Sequence, residues 1–265
     1  DEYWLPTAMH FRWSYPENFR DRFQPEVGDN LLPFMPRFIK NRAVTRVATL
    51  LRSYLPSVGV VPGQHDTIER WTHEQLNHLD AHFAQYNYLL GSKPSVGDFG
   101  LIGPLYAHLG RDPWPARELI AKRPNLHAWV KRMMYPPQPQ AGRFLPDDAI
   151  PDTLLPLLKS VFGEFWPQLQ LTLAERERTR ADLKPGRGWS RMLGMIDVPM
   201  ANATLRVGAR PFSLWMAQRS LDTFHALPAA DQASVQDWLN SIGAGDALKL
   251  AIPRLRQIAL RVAPE

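Results

Sequence analysis

The first fifteen residues combine aromatic side chains with a few polar ones. His10 and Arg12 stand among apolar neighbours. Aromatic walls with a few polar tips suit a cleft for an apolar ligand, and a guanidinium can pair with a carboxylate through two parallel hydrogen bonds. Core packing is the commoner role of such aromatic residues, and a surface ion pair is the commoner role of an arginine. The residues that we consider for a ligand site are Met9, His10, Arg12, Trp13, Tyr15 and Arg42.

A histidine-rich segment raises the question of a metal site. Glu74, His78 and His82 are spaced four residues apart, so a helix places them on one stripe, where they could hold a metal ion. The spacing is one residue longer than in the helical zinc-protease motif, and the stripe lies largely away from the apolar one that contains Leu76 and Leu79. We therefore expect these side chains to be solvated, and we predict no metal.

Nucleophilic catalysis has little support in the sequence. The segment around Ser190 is the nearest approach to a nucleophile elbow, but the closing glycine and the alternating α/β context are missing. No phosphate-binding loop and no dinucleotide fingerprint occurs. An independent hydrolase built on the second half of the chain is therefore set aside.

The composition is that of a globular protein. The chain has 265 residues, of which 45% are apolar and 22% charged, with a net charge of +5 and no long basic run. Nucleic-acid binding, disorder and a membrane span are therefore not expected. The absence of cysteine excludes disulfides, a cysteine nucleophile and cysteine-ligated metals, and it is compatible with a cytoplasmic protein. The 25 prolines, roughly twice the usual share, limit the length of helices.

The first half of the chain has helical periodicity interrupted by prolines. Three prolines between residues 24 and 36 favour a loop there. Elsewhere apolar residues recur at helical spacing. The predicted helices cover residues 1–15, 37–55, 67–86 and 95–109, and a shorter one follows Asn125.

The helix predicted at 95–109 has a recognisable start. Ser95 is suited to be its N-cap, and Asp98, three residues later, can return a hydrogen bond to the Ser95 amide. The run that follows is apolar on all sides, which is typical of a buried central helix. We predict a structural capping box of Ser95 and Asp98, not a catalytic pair.

The second half of the chain mixes helices with short strands. Helical patterns cover residues 151–182, 211–227 and 229–242, with Pro156 and Pro167 expected to kink or divide the first. Alternation in 195–198 and 203–207 predicts a hairpin, and alternation over 258–263 predicts a terminal strand. A small hairpin or a three-stranded sheet is the expected β-structure.

These segments resemble the C-terminal helical domain of the glutathione transferase superfamily. The resemblance is best over residues 1–135 and weaker beyond them, where it is to the long extension of one bacterial branch. In this superfamily a Pro-Ser-x-x-Asp phrase begins the buried helix, and Arg-Pro-Asn-x-x-x-Trp begins the next. The matching segments here are Leu89–Tyr106, Arg111–Pro113 and Arg123–Met133, with Tyr3–Leu5 and Met9–Asn18 similar to the first helix.

The resemblance implies a mainly α fold: a helical bundle over residues 1–140 and a mostly helical extension over 141–265 that packs on it. It implies glutathione as a co-substrate, with no permanently bound cofactor, and attack of the glutathione thiolate on an apolar electrophile. The first helix and its neighbour would line the cleft for that electrophile, and Arg12 or Arg42 would pair with a glutathione carboxylate. A homodimer is the family habit.

Family members carry a thioredoxin-like domain, with the thiol-activating residue, before the helical domain. We expect that domain to be absent from this chain, so that the chain alone is not expected to be active. A second hypothesis is therefore a non-catalytic helical module for protein interaction, because helical domains of this superfamily are reused in protein assemblies.

Overall fold

The structure is a computed structural model that describes residues 2–135, 142–179, 188–259 and 261–265. The chain forms two compact units, Asp1–Leu157 and Leu158–Glu265. The domain boundary that the sequence predicts between residues 140 and 141 lies outside the described residues.

Most of the chain is helical. Segments of π-helix are Asn18–Phe23, Gly103–Gly110, Ala116–Ile120 and Val161–Phe165, and short 3-10 turns are Glu2–Trp4, Leu55–Val58, Pro62–Gln64, Pro146–Asp148, Asp152–Leu154 and Ala247–Lys249. The α-helices are α1 (Leu5–Ser14), α2 (Gln24–Leu31), α3 (Arg37–Arg52), α4 (His65–Phe83), α5 (Val96–Ile102), α6 (Pro113–Pro115), α7 (Pro124–Met134), α8 (Leu155–Ser160), α9 (Trp166–Arg178), α10 (Pro211–His225) and α11 (Ala229–Ser241).

The loop predicted for residues 24–36 is largely wrong, because α2 occupies its first part. Pro25 is the second residue of α2, at the junction where the backbone changes from π-helix to α-helix. The helix also continues directly from the π-helical segment Asn18–Phe23, so it does not have to nucleate on its own. The loop is confined to residues 32–36.

Helix α4 is the centre of the first unit. Its apolar face is fully buried, and α1 and α7 pack against it. The indole ring of Trp71 meets the rings of Tyr3 and Trp4 edge to face, with centroids 4.8 and 4.9 Å away. Such edge contacts are a favoured arrangement of aromatic rings and fix the start of the chain on α4.

The helix predicted from Ser95 is present, but its second half is π-helical. Ser95 is the N-cap of α5, and both bonds of a capping box with Asp98 are made. After Ile102 the backbone continues as the π-helical segment Gly103–Gly110, with Pro104 at its start. A π-helix bonds each N–H to a carbonyl five residues earlier, and it is rare outside special packing or functional environments.

Helix α7 receives its cap from another helix. Oδ1 of Asp80, on α4, accepts hydrogen bonds from the backbone N–H groups of Asn125 and Leu126, both over 2.9 Å. These are donors of the first turn of α7, which have no partner inside their own helix. Asp80 therefore joins α7 to α4, and its carboxylate accepts the hydrogen bonds that an N-cap residue would accept.

Pro156 and Pro167 both lie near the start of an α-helix. Pro167 lies in the first turn of α9, and Pro156 is the second residue of α8. Between these helices the chain is π-helical over Val161–Phe165. The expected division of this region therefore appears as a change of helix type and not as a break in the helix.

The β-structure consists of two antiparallel hairpins: β1 (Met195–Met200) pairs with β2 (Ala203–Gly208), and β3 (Leu255–Ile258) with β4 (Arg261–Pro264). The first is the predicted one, and Ala201 and Asn202 join its strands with positive φ, as a twisted two-residue turn requires. The single strand predicted over 258–263 is wrong. The chain reverses at Ala259, where φ is +52°, and Leu260 lies outside the described residues. The three-stranded alternative is therefore not what forms, since each described sheet has two strands.

The second unit has its own hydrophobic core. Leu169 of α9, Leu214 of α10 and Leu255 of β3 are each at most 1% exposed and belong to one cluster. Leu221, Leu250 and Val262 complete it, together with Trp189.

None of the described helices combines the length and the apolar character that are needed to cross a bilayer.

Candidate functional site

Helix α1 carries most of the predicted site residues, and one face of it is buried. This face packs on α4 and on the π-helical segment 103–110. The hydroxyls of Thr7 and Thr72 are hydrogen bonded over 2.8 Å where α1 meets α4. The site residues therefore project from a helix that is held in place on two sides.

His10 is the most buried of these residues, at 1% exposure. Its Nε2 lies 2.7 Å from Oε1 of Glu69 on α4, and its Nδ1 lies 3.0 Å from Oγ of Ser14. The ring is 4.5 Å from that of His65. Burial lowers the pKa of His10 below its usual value, and the hydrogen bond to Glu69 opposes this shift.

Tyr15 shares the same carboxylate. Its hydroxyl donates to Oε1 of Glu69 over 3.2 Å, and its ring stacks on Trp114 with centroids 3.7 Å apart. Burial and the negative charge of Glu69 raise the pKa of Tyr15 to about 12. The phenol therefore stays protonated at neutral pH and acts as a donor to Glu69.

Arg12 points to a different partner. Its Nε donates to Oδ2 of Asp112 over 2.8 Å, and one terminal nitrogen donates both to Oδ1 of Asp112 and to the carbonyl of Ala107. Burial raises the pKa of the Asp112 carboxyl, and Arg12 pulls that pKa back down. The fork of Arg12 is thus occupied by a buried carboxylate of the protein. Its pairing with a ligand carboxylate stays a prediction.

Trp13 lies on a third side of α1, in a half-buried aromatic group. Its ring is 5.0 Å from that of Phe23 and 6.4 Å from that of Phe19. The guanidinium of Arg52, on α3, lies 5.0 Å from the ring centroids of both Trp13 and Phe19. We call Trp13, Phe19, Phe23 and Arg52 the Trp13 cluster. It offers a partly exposed apolar surface beside a positive charge.

The remaining two residues are less constrained. Met9 is half-buried on α1, and Arg42 is exposed on α3. The structure therefore brings His10 and Tyr15 together through Glu69, whereas Arg12 pairs with Asp112 and Trp13 belongs to an aromatic group. Sequence reasoning did not single out Glu69 or Trp114 because they lie 59 and 99 residues beyond His10 and Tyr15 and belong to no local motif.

The expectation that the histidine stripe of α4 is solvated is wrong at His82. This ring is fully buried, with Nδ1 2.7 Å from Oγ1 of Thr153 and Nε2 3.3 Å from the carbonyl of Tyr88. The turn Asp152–Leu154 packs on α4, and a helical pattern cannot foresee this. His78 stays near the surface, 3.7 Å from Glu74. Within the described parts of the chain, no three His, Cys, Asp or Glu side chains come together as metal ligands would.

Ser190 is exposed and follows a buried tryptophan. The N–H of Trp189 donates to the carbonyl of Val262 on β4, and the guanidinium of Arg176 lies 4.9 Å from the Trp189 ring centroid. This segment is an irregular connection beside β4, and it does not form a strand-to-helix elbow.

Comparison with known families bears on the first unit. Residues 72–132 match the family model described as glutathione S-transferase, C-terminal domain. The match runs from α4 through the capping box to α7. Neither a curated protein nor a solved structure matches the chain. On this match, residues 72–132 are similar to a glutathione S-transferase C-terminal domain, and the helical fold of the first unit is consistent with that similarity.

Proposed function

We propose that this chain is the substrate-side helical domain of a glutathione transferase-like enzyme, which conjugates glutathione to apolar electrophiles. The family match over residues 72–132 supports the class of protein. The Trp13 cluster is the observation that carries the proposal, because it presents half-buried aromatic rings and a cation on the first helix of the domain. An apolar ligand with an anionic group would bury its body on Trp13 and Phe23 and place its charge near Arg52.

The thiol chemistry would need a group that lowers the pKa of glutathione, since the thiolate is the nucleophile. Tyr15 is unsuited to this role, because its own pKa is raised to about 12 and its hydroxyl is engaged by Glu69. The activating residue is therefore expected in a thioredoxin-like domain. The cytoplasm, where glutathione keeps thiols reduced, is the proposed compartment.

Calorimetric titration of the protein with glutathione and with S-hexylglutathione tests the proposal. We expect S-hexylglutathione to bind, and Trp13→Ala to weaken its binding by about tenfold through the loss of aromatic contact area. Trp215→Ala is the matched control, because Trp215 also lies under a guanidinium, that of Arg219 at 4.4 Å, but in the second unit. If neither compound binds, or if both variants weaken binding equally, the proposal fails.

A second candidate is protein interaction, including formation of a homodimer, and an exposed apolar patch favours it. The side chains of Phe34 and Phe38 are 96% and 73% exposed, and Leu31, Met35 and Ile39 beside them are exposed as well. Contiguous apolar surface of this kind marks interaction sites in soluble proteins. We call these five residues the α2–α3 patch.

Light scattering after size exclusion tests this second candidate. We expect a dimer for the unaltered protein and a monomer for the double variant Phe34→Glu, Phe38→Glu, because a buried carboxylate without a partner opposes association. The pair Val96→Glu, Phe99→Glu is the control, since both side chains are exposed apolar residues on α5. A monomer at all concentrations would count against a homodimer.

A further inference from the structure

A serine, a histidine and a glutamate form a continuous hydrogen-bonded chain at the end of α1. Oγ of Ser14 lies 3.0 Å from Nδ1 of His10, and Nε2 of His10 lies 2.7 Å from Oε1 of Glu69. Ser14 is exposed to solvent, whereas the His10 ring is 1% exposed. The serine end of this hydrogen-bonded series therefore faces the solvent, and the histidine lies inside the protein.

The hydrogen bonds fix where the protons are. A carboxylate can only accept, so Nε2 of His10 carries the proton that is donated to Glu69. Burial favours the neutral imidazole, which leaves Nδ1 with a free lone pair. Nδ1 must then accept the hydrogen bond, and the Ser14 hydroxyl donates it. This is the proton arrangement in which a histidine can act as a base towards a serine.

The surroundings hold this arrangement in place. The His10 ring packs edge on against Phe11 at 4.9 Å and lies 4.5 Å from His65. The Tyr15 hydroxyl holds the same Glu69 oxygen over 3.2 Å. A base whose position and tautomer are fixed before the reaction contributes more than a mobile one.

We propose that Ser14 is a nucleophilic serine that accepts acyl groups from activated esters, with His10 as the base and Glu69 as the residue that orients His10. The Ser14 Oγ forms a bond to the ester carbonyl carbon while its proton passes to Nδ1 of His10. The bond from that carbon to the leaving phenolate oxygen breaks, and the phenolate departs with the electron pair. His10 then releases its proton to solvent, which leaves an ester on Ser14.

Two other exposed serines bond to backbone carbonyls and serve as internal references. The hydroxyl of Ser53 donates to the carbonyl of Leu50 over 2.7 Å, and that of Ser241 donates to the carbonyl of Trp238 over 2.7 Å. A backbone carbonyl is too weak a base to take the proton of a hydroxyl. Any preference for Ser14 over these two therefore reports on His10 and not on exposure.

The test is reaction of the whole chain with p-nitrophenyl acetate and, separately, with a fluorophosphonate, followed by peptide mass spectrometry. We expect modification of Ser14 to be about a hundredfold faster than that of Ser53 or Ser241, which is the usual contribution of a positioned base. The Ser14→Ala variant should lose the initial release of p-nitrophenolate. The rate of Ser14 modification should rise with pH as His10 loses its proton. It should level off at a pH below 6.5, because the pKa of His10 is lowered from that value.

Two glutamate variants distinguish a role in the reaction from a role in folding. Glu69→Gln can present its amide N–H to Nε2 and force the proton onto Nδ1, so it should slow the labelling of Ser14 by at least about tenfold. Glu74→Gln is the matched control, because it makes the same change at an exposed glutamate of α4 that faces a different histidine, His78, at 3.7 Å. Circular dichroism establishes that both variants are folded.

The proposal is overturned if Ser14 reacts no faster than Ser53, or if a folded Glu69→Gln variant labels at the unaltered rate. This proposal does not rest on the glutathione transferase function. If S-hexylglutathione does not bind, the proposal for Ser14 still stands. If Ser14 is not labelled, the proposal for the Trp13 cluster still stands.

Discussion

The indole Nε1 of Trp129 donates a hydrogen bond to Oδ1 of Asp98 over 2.9 Å, 31 residues away along the chain. Oδ1 of Asp98 also accepts the N–H of Leu89 over 3.0 Å, and Oδ2 accepts the N–H of Ser95 over 2.8 Å. Asp98 is fully buried. The capping box at the start of α5 is therefore also the point where α5, α7 and the preceding loop are joined.

Replacement of Asp98 by Ala removes the cap and leaves several buried donors without an acceptor. We expect a loss of about 3 kcal/mol in the free energy of unfolding, measured by urea denaturation. Trp129→Phe removes only one of the donors and keeps most of the aromatic packing, so it should cost less. A loss for Asp98→Ala below that for Trp129→Phe would contradict a joining role of the carboxylate.

Arg12→Ala leaves the buried Asp112 carboxylate without its ion pair, and we expect it to cost about 3 kcal/mol at neutral pH. Burial has already raised the pKa of Asp112, and removal of Arg12 raises it further. The penalty exists while the carboxylate is charged and disappears as the pH falls through this raised pKa. The deficit relative to the unaltered protein should therefore shrink in acid. It is measured by urea denaturation at several pH values.

Arg117→Ala is the control for that experiment. Arg117 pairs with Glu17 and Glu118 at the surface, so little change in stability is expected. A deficit for Arg12→Ala that stays constant with pH would show that Asp112 does not cause it.

His108 makes the protein sensitive to mild acid. Its Nδ1 is buried with no hydrogen-bond partner in the described structure, and burial together with the charge of Arg12 lowers its pKa to about 4. The unfolded chain binds a proton near pH 6.5 and the folded one only near pH 4, so stability is lost as the pH falls through this window. Since the ring is only partly buried, the expected loss is about 2 kcal/mol.

Replacement of His108 by Gln should flatten the curve of unfolding free energy against pH between 6.5 and 4. Chemical denaturation at half-unit pH steps measures this. Parallel curves for the two proteins would assign the acid sensitivity to other groups.

Gln218, on α10, pairs with the backbone of β3 as a neighbouring strand would. Its Oε1 accepts the N–H of Leu255 over 2.8 Å, and its Nε2 donates to the carbonyl of Leu255 over 3.2 Å. Gln218→Met keeps the volume but removes both bonds, so we expect a cost of about 2 kcal/mol and faster hydrogen exchange at the Leu255 amide. Gln257→Met, at an exposed glutamine of β3, should change neither quantity.

Local rules predicted the parts of this fold that depend on neighbours in the sequence. The capping box of Ser95 and Asp98 was predictable because its two members are three residues apart and its hydrogen bonds lie within one turn. The hairpin at 195–208 was predictable from alternation. The helix α2 was missed because Pro25 favoured a loop, and the sequence does not show that α2 continues from a π-helical segment.

The candidate site depends on contacts that no local pattern contains. His10 meets Glu69 across 59 residues, and Arg12 meets Asp112 across 100. The helical pattern places His82 on a stripe that we expected to be solvated, but the turn at Asp152–Leu154 buries it. The helical class, the start of α5 and the family resemblance can be read from the order of the amino acids, because they follow from periodicity and short-range bonding. The partners of the ionisable residues of α1 become known from the folded chain alone, since burial and charge pairing arise between helices that are distant in the sequence.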